Sequence, residues 1–309
     1  MNQEDKWIFI VNPVAGNGFA ATMENIIRQK AVHYNINAEI VLTQKRGDAT
    51  FLAEKYAVSG YKYIIGVGGD GTFNEIASSL IARKDIVTGL IPAGTGNDFI
   101  QILGFPDRLA ESDWDTFFNR NTIAMDAGNC NGMFFFNGMG LGFDAAVAAE
   151  NYTAPGDVKK GGKNKYIWQI LKTILLYSEK RMKTVNKDKA DETECFMNTV
   201  SIGRRFAGGF FITPDAIAND SLLDVCMVRK ISVPRRLFVL TMVPKGTHIR
   251  DKNVSYYQTD RLTLEFSEKV PFHLDGELHF SERFDIKIMP AAINIIYNPS
   301  GKHFFRLPS

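Results

Sequence analysis

Apolar residues along this chain fall in short runs, separated by glycine-rich turns and by stretches with helical spacing. Trp7-Ile8-Phe9-Ile10-Val11 is apolar at every position, as expected of a strand buried on both faces. Asn12-Pro13-Val14-Ala15-Gly16-Asn17-Gly18 reads as a turn, after which Met23, Ile26, Ile27 and Lys30 fall on helical spacing. Residues 38–42 read as a second strand ending at Thr43, and Asp48 is placed to cap a helix over 49–58. Tyr63-Ile64-Ile65 feeds the turn Gly66-Val67-Gly68-Gly69-Asp70-Gly71-Thr72, and a helix is expected from Phe73 to about Ile81. Residues 87–91 form the fourth apolar run. It ends in Pro92-Ala93-Gly94-Thr95-Gly96-Asn97-Asp98, with a further helix expected to start over 99–103. This alternation predicts an α/β domain with a mostly parallel sheet and helices on both faces. Three glycine loops then fall at the carboxyl ends of strands, where such folds bind ligands.

Beyond residue 126 the pattern changes. Short strand-like runs at 134–137, 195–202, 223–228, 261–266 and 284–288 predict a second, β-rich domain. The expected division is 1–126 and 127–297, with the tail 298–309 free to return to the first domain. Within the second domain, 166–179 has amphipathic helical spacing. Lys159, Lys160, Lys163 and Lys165 precede it, and Arg181, Lys183, Lys187 and Lys189 follow. Such a helix either lies on an anionic membrane surface or packs on the β domain with its charges in water. Arg235 and Arg236, beside the apolar run 237–240, admit the same two readings. Phe206, Phe210 and Phe211 suit either a core or an acyl-chain pocket.

Composition narrows the partners. With 309 residues, 45% of them hydrophobic, the chain can bury one or two cores. Lys+Arg 36 against Asp+Glu 34 leaves a net charge of +2, which gives no reason to expect nucleic acid. Cys130, Cys195 and Cys226 show no metal spacing and fit reduced thiols of a cytoplasmic protein. The first residues lack a signal-peptide pattern, and no run reaches the roughly 18 apolar residues of a membrane span. Membrane contact, if made, is expected to be peripheral, at the inner face.

The candidate chemistry centres on 66–72. Glycines tolerate positive φ and carry no Cβ to hold a ligand away, and backbone N–H groups at such a turn suit phosphate oxygens. Asp70 would repel a bare anion, so glycine turn plus acid points to Mg-nucleotide chemistry. Two other readings compete: glycines needed only for packing, and a dinucleotide fingerprint Gly66-x-Gly68-x-x-Gly71. Asn12-Pro13-x-x-Gly16 is a second phosphate loop or a plain βα turn. Gly94-Thr95-Gly96-Asn97-Asp98 offers a hydroxyl and an amide, or simply caps a helix. No loop matches a Walker-type P-loop. Asp275-Gly276-Glu277 alone reads as a hairpin tip with solvated acids, and His273 and His279 beside it as strand residues.

Taken together, these motifs resemble the diacylglycerol-kinase catalytic-domain family, which includes bacterial soluble diacylglycerol kinases, sphingosine kinases and ceramide kinases. The resemblance rests on Asn12-Pro-x-x-Gly16, on Gly68-Gly69-Asp70-Gly71-Thr72 with Asn74-Glu75, and on Pro92-x-Gly94-Thr95-Gly96-Asn97-Asp98-Phe99. It continues through Gly208-Gly209, Pro214-Asp215-Ala216, Asp220-Ser221-Leu222-Leu223-Asp224-Val225 and Leu274-Asp275-Gly276-Glu277. The resemblance implies an ATP-NAD-kinase-like first domain followed by a β-rich sandwich domain. It implies that ATP contacts Asn12, Pro13, Val14, Ala15, Gly16, Thr43, Gly69, Asp70, Gly71, Thr72, Phe73, Asn74, Glu75 and Thr95. Glu277 matches the general base that would deprotonate a lipid hydroxyl. Asp70 would order Mg2+ by the phosphates through water, and the reaction would occur in a cleft between the domains. Ser221, Asp224 and Cys226 match a structural Mg2+ site, with Asp224 supplying a carboxylate and the others backbone carbonyls. The family pattern often has Asp-Gly where this chain has Asp220-Ser221. A homodimer is suggested only by the resemblance.

The function so implied is ATP-dependent phosphorylation of diacylglycerol to phosphatidic acid at a membrane surface. Phosphoryl transfer needs charge neutralisation and alignment more than covalent help, and a carboxylate suits removal of a proton from an alcohol of high pKa. Other lipid alcohols, such as phosphatidylglycerol or a sphingoid base, remain open as acceptors. NAD kinase shares a Gly-Gly-Asp-Gly-Thr loop, but the Gly-Thr-Gly-Asn-Asp and Asp-Gly-Glu motifs favour the lipid branch. A non-catalytic nucleotide-binding regulator would have no need of Glu277, and a dinucleotide oxidoreductase leaves the other two loops unexplained.

Overall fold

The structure is a computed structural model that describes residues 5–154, 157–158, 163–186, 189–206 and 208–307. Two compact units emerge. The first comprises Met1–Ala127, Ile217–Asp220 and Met289–Ser309, and the second Gly128–Ala216 and Ser221–Ile288. This differs from the expected boundary at 297. One long strand, Glu277–Ile296, carries the chain across the division, and its last residues, Asn294 and Ile295, pair in parallel with Val87 and Thr88. Residues 217–220 also group with the first unit. Ala218 donates its N–H to the Phe304 carbonyl and accepts from the Asp126 N–H.

The first unit runs β1 (Trp7–Val11), α1 (Phe19–His33), β2 (Ala38–Leu42), α2 (Asp48–Val58), β3 (Tyr63–Gly68), α3 (Asp70–Ser79), β4 (Val87–Pro92), α4 (Glu111–Phe118) and β5 (Thr122–Cys130), which enters the second unit at Gly128. β1 lies between β2 and β3, and β3 between β1 and β4, each pair in parallel register. β1, β3 and β4 are buried along their whole length, which is why they read as unbroken apolar runs. Ile8, Ile10 and Ile64 of the sheet share a core cluster with Ala49 and Ala53 of α2 and Ile76 of α3. Two local expectations need correction. Gly47, at φ 85°, holds the cap position of α2. Asp48 is instead its first residue, and its carboxylate accepts the N–H groups of Gln44 and Lys45 at 2.8 and 3.0 Å. The helix expected over 99–103 is a 3-10 turn, Phe99–Gln101, stopped before Gly104 at φ 77° and Pro106.

The second unit continues with β6 (Met133–Phe135), β7 (Gly138–Gly142), α5 (Phe143–Asn151), β8 (Tyr152–Ala154), β9 (Asp157–Val158), α6 (Lys163–Leu176), β10 (Lys180–Asn186), β11 (Lys189–Ser201), β12 (Arg205–Phe206) and β13 (Phe210–Phe211). It closes with β14 (Leu223–Arg229), α7 (Val233–Met242), β15 (Val254–Thr259), β16 (Arg261–Leu274) and β17 (Glu277–Ile296). Here the pairing is antiparallel in the order β15-β14-β11-β10-β16-β17, and β7 lies against both β11 and β16. Phe206 is buried in the core that also takes Phe143, Phe196 and Ile174, and Phe210 packs against it.

The apolar side of α6 divides. Ile170 and Ile174 face that core, while Trp168, Leu171, Leu175 and Leu176 are exposed. Lys159, Lys160 and Lys187 lie outside the described residues, as do the side chains of Lys163, Lys165, Ile167 and Lys189. Arg236 is not a surface cation. It is buried, donates to the carbonyls of Ile174 and Tyr177, and pairs with Glu179 at 2.6 Å. It thereby ties the end of α6 to α7 and ends that helix short of the expected residue 179.

Candidate functional site

The three glycine loops of the first unit meet at the carboxyl ends of β1, β3 and β4. The parallel register sets this up: Val11 lies opposite Val67, and Val67 opposite Ile91, so the strands stop side by side. Asn12 donates its N–H to the Val67 carbonyl and its side-chain amide to Thr72 Oγ1, at 2.9 and 3.1 Å. The N–H groups of Ala93 and Gly94 both reach the Gly68 carbonyl, at 2.7 and 3.0 Å. The contacts are so close that side chains are excluded. A Cβ on Gly94 would lie 2.5 Å from the Gly69 Cα, and one on Gly16, at φ 59°, would collide with the Ala93 carbonyl.

Polar side chains brace these loops. The Asn97 side chain closes the third loop by accepting from the Gly94 N–H at 3.2 Å and donating to its carbonyl at 3.3 Å. Asp70, at the start of α3, accepts the N–H groups of Asp98 at 3.0 Å and Phe99 at 3.4 Å. Phe73 stacks on Phe99 with ring centroids 3.9 Å apart. Thr43 follows β2 and donates its N–H to the Val11 carbonyl, and Glu75 accepts the Gly47 N–H. By contrast, Gly71 and Gly96 face open space where a Cβ would stand, and Val14, Thr95 and Gly96 are exposed. The loops are thus locked to one another from behind and bare in front. An exposed glycine at a helix start with free space ahead suits a phosphate group.

In the second unit, β16 and β17 are joined by Asp275 and Gly276, at φ 46° and 88°, and Leu274 pairs with Glu277. Positive φ at both central residues is the conformation that suits the twist of a two-residue hairpin. Glu277 is half-buried at the start of β17. Asp275 is not the solvated acid that the tripeptide suggests. Its carboxylate accepts the N–H groups of Phe136, Asn137 and Gly138 at 2.8, 3.0 and 2.9 Å, clamping the turn between β6 and β7.

Residues 6–130 match the family description "Diacylglycerol kinase catalytic domain", and residues 138–297 match "YegS C-terminal NAD kinase beta sandwich-like domain". The chain belongs to the diacylglycerol kinase catalytic-domain family. It is a kinase. A diacylglycerol kinase of Bacillus subtilis (strain 168) is 28% identical over 270 residues, which cover 87% of this chain and 88% of that one. A diacylglycerol kinase of Staphylococcus carnosus (strain TM300) is 24% identical, with 87% of each chain covered. A solved structure of a candidate diacylglycerol kinase from Bacillus anthracis strain Sterne superimposes with a TM-score of 0.79 at 25% identity. It covers 97% of this chain and 98% of that one.

Magnesium is the ion this family implies, and the donors here can be tested against it. Among the described residues no three His, Cys, Asp or Glu side chains converge on one point. Mg2+ keeps much of its water and needs only one or two carboxylates beside phosphate oxygens, so Asp70, with Asp98 on the neighbouring loop, fits that chemistry. Asp224 is buried on β14, and its oxygens accept the Tyr256 hydroxyl at 2.6 Å and the Gln258 amide at 3.2 Å. Ser221 stands at φ 65° just before β14, a backbone conformation that favours glycine. Cys226 has Thr199 and Tyr256 as register partners on its two sides.

Two groups in the kinase carry no local signal in the sequence. Arg108 donates to the carbonyls of Pro92 and Gly94 at 3.4 and 3.2 Å and lies over the Phe19 ring, bracing the third loop. His273 Nε2 lies 3.4 Å from Asp144 Oδ2, over Gly140, where a Cβ would displace both.

Proposed function

We propose that this protein is an ATP-dependent lipid kinase that phosphorylates the hydroxyl of diacylglycerol to phosphatidic acid. The observation that carries the reading is the set of three glycine loops in mutual contact at the strand ends, with Asp70 set among them. Asn12, Pro13, Val14, Ala15 and Gly16 hold the triphosphate with Gly69, Asp70, Gly71, Thr72 and Thr95. Thr43, Phe73, Asn74 and Glu75 border the nucleotide. Glu277 takes the proton as the lipid oxygen bonds to the γ-phosphorus and the bond to the ADP oxygen breaks. Asp70 would hold Mg2+ beside the phosphates, and Ser221, Asp224 and Cys226 would hold a structural Mg2+. The ion neutralises the developing phosphate charge when bound. The acceptor is drawn from a membrane surface.

The test is incubation with labelled ATP, Mg2+ and vesicles of diacylglycerol, phosphatidylglycerol or a sphingoid base, with NAD in parallel. The expected product is labelled phosphatidic acid. Label in another lipid would move the acceptor while keeping the class, and label in NAD alone would reject the lipid reading.

A further inference from the structure

β16 and β11 both change partner in the middle of their course, and the sheet opens where they do. β16 pairs with β10 up to Phe266 opposite Met182, then with β7 from Phe272 opposite Leu141. β11 pairs with β10 at Cys195 opposite Lys180, then with β7 at Met197 opposite Gly142. Between β16 and β17, residues 266–269 stand opposite Glu282 alone, because Glu265 pairs with Arg283 and Val270 with Ser281. β7 ends at Gly142 and β10 begins at Lys180, so neither fills the window between the two partner changes. A register shift interrupts each flanking strand at this point, between Cys195 and Met197 on β11 and between Glu265 and Val270 on β16. The result is a cavity of about 220 Å³ lined by Leu141, Gly142, Tyr177, Cys195, Val270 and Pro271. Its walls are mostly apolar, and Lys180 and Glu268, paired at 2.6 Å, stand at its edge with Lys269.

We propose that this window receives an acyl chain of the lipid substrate, an inference that rests on the lipid-kinase reading. Size fits a chain. A protein cavity of about 150 Å³ holds benzene, so this one takes roughly nine carbons. Of the three charged groups on the lining, Lys180 and Glu268 neutralise one another and Lys269 is the one further charge, so most of the wall offers an apolar ligand no charge to desolvate. Reach fits as well. Val270 lies four residues along β16 from Leu274, which faces Glu277 across the hairpin. At about 3.4 Å per residue this is roughly 14 Å, the span of about a dozen bonds of an extended chain. A glycerol hydroxyl placed at Glu277 therefore brings the distal half of a long acyl chain to the window, and a six-carbon chain stops short.

Val270→Trp fills the window. The expected result is a fall of about tenfold or more in kcat/KM for dipalmitoylglycerol, from several buried methylenes lost. Dihexanoylglycerol should be used about as well as before, which also shows that the variant folds. An equal effect on both lipids, or on neither, overturns the proposal. The wild-type kinase gives a second measurement that needs neither turnover nor a stable variant. A diacylglycerol with a diazirine near the end of one acyl chain should label peptides holding 141–142, 195 or 266–271. Label elsewhere overturns the window. If wild-type protein phosphorylates no lipid at all, the function fails on that assay, and the labelling still decides the cavity.

Discussion

The two units build their candidate functional parts from different materials. In the first, the glycine loops are made largely of backbone: glycines at 16, 69 and 94 let three turns touch, and few side chains intervene. In the second, the hairpin tip and the window are made by side chains and by strands that change neighbours far apart in sequence. A backbone site tolerates almost no added atom behind the loops. A side-chain site tolerates substitution according to what each group holds. The contrast says where a mutation should damage folding and where it should damage ligand handling alone.

The largest effect is expected behind the loops. Gly94→Ala puts a methyl 2.5 Å from the Gly69 Cα, with backbone on the far side that cannot swing away. A loss of about 3 kcal/mol, the upper range for overpacking, is expected in urea titrations, together with loss of nucleotide binding. Gly71→Ala is the counterpart. Its Cβ meets nothing within 4 Å and the residue sits in the first turn of α3. Alanine in a helix is favoured over glycine by about 0.5–1 kcal/mol, so this variant should be as stable as wild type or more so. It should nevertheless bind ATP more weakly, because the methyl enters the space proposed for phosphate. A Gly71→Ala protein with unchanged ATP affinity would place the phosphates elsewhere.

That pair of glycines also shows what sequence could convey. The first unit was legible because buried parallel strands read as plain apolar runs and because the glycine turns follow them directly. All three loops could be located, but nothing in the pattern separates Gly94, needed for packing, from Gly71, facing open space. Helix ends were less legible: Asp48 resembles a cap, yet Gly47 holds that position. In the second unit the run at 261–266 covers only the start of β16 and that at 284–288 only the middle of β17, because half-buried strands alternate and lose contrast along the rest of their length. The partner changes that open the window depend on pairings between residues distant in sequence, such as Leu141 with Phe272, and leave no local trace. Arg236 looked like a surface cation because its partners, Ile174, Tyr177 and Glu179, come from another helix and its exit.

Asp275 and Glu277 offer the next test, two acids one residue apart with opposite expected roles. Asp275→Ala leaves three backbone N–H groups without their acceptor. Hydrogen bonds to a charged group contribute about 1.5–3 kcal/mol each, and partial hydration of the turn brings the total cost to about 3 kcal/mol. Asp275→Asn should recover part of this, since asparagine keeps one acceptor and tolerates positive φ. Glu277→Ala should leave the urea midpoint almost unchanged and abolish phosphoryl transfer, with ATP affinity largely intact. Near-full turnover in Glu277→Ala would remove it as the base. A large stability loss there would show that both acids are structural.

The smallest effect concerns a buried histidine in the second unit. His248 is fully buried, its Nε2 lies 3.0 Å from the Ile212 carbonyl, and its Nδ1 has no hydrogen-bond partner among the described residues. Burial holds its imidazole pKa below the ordinary 6.5, against a smaller opposing pull from the Ile212 carbonyl. The sign follows from proton counting. As pH falls through about 6.5, the unfolded chain takes up a proton that the folded chain refuses, so stability drops. It goes on dropping until the folded group also protonates, and below that the difference is constant. One proton gives at most about 1.4 kcal/mol per pH unit. Depressed carboxylates such as Asp285, held down by Arg283, act only at lower pH, within the carboxylate range. Urea midpoints at pH 7.5 and 5.5 should therefore separate for wild type, and His248→Gln should reduce the separation while keeping a donor for the Ile212 carbonyl. An undiminished separation in that variant would mean that the acid sensitivity arises from another group.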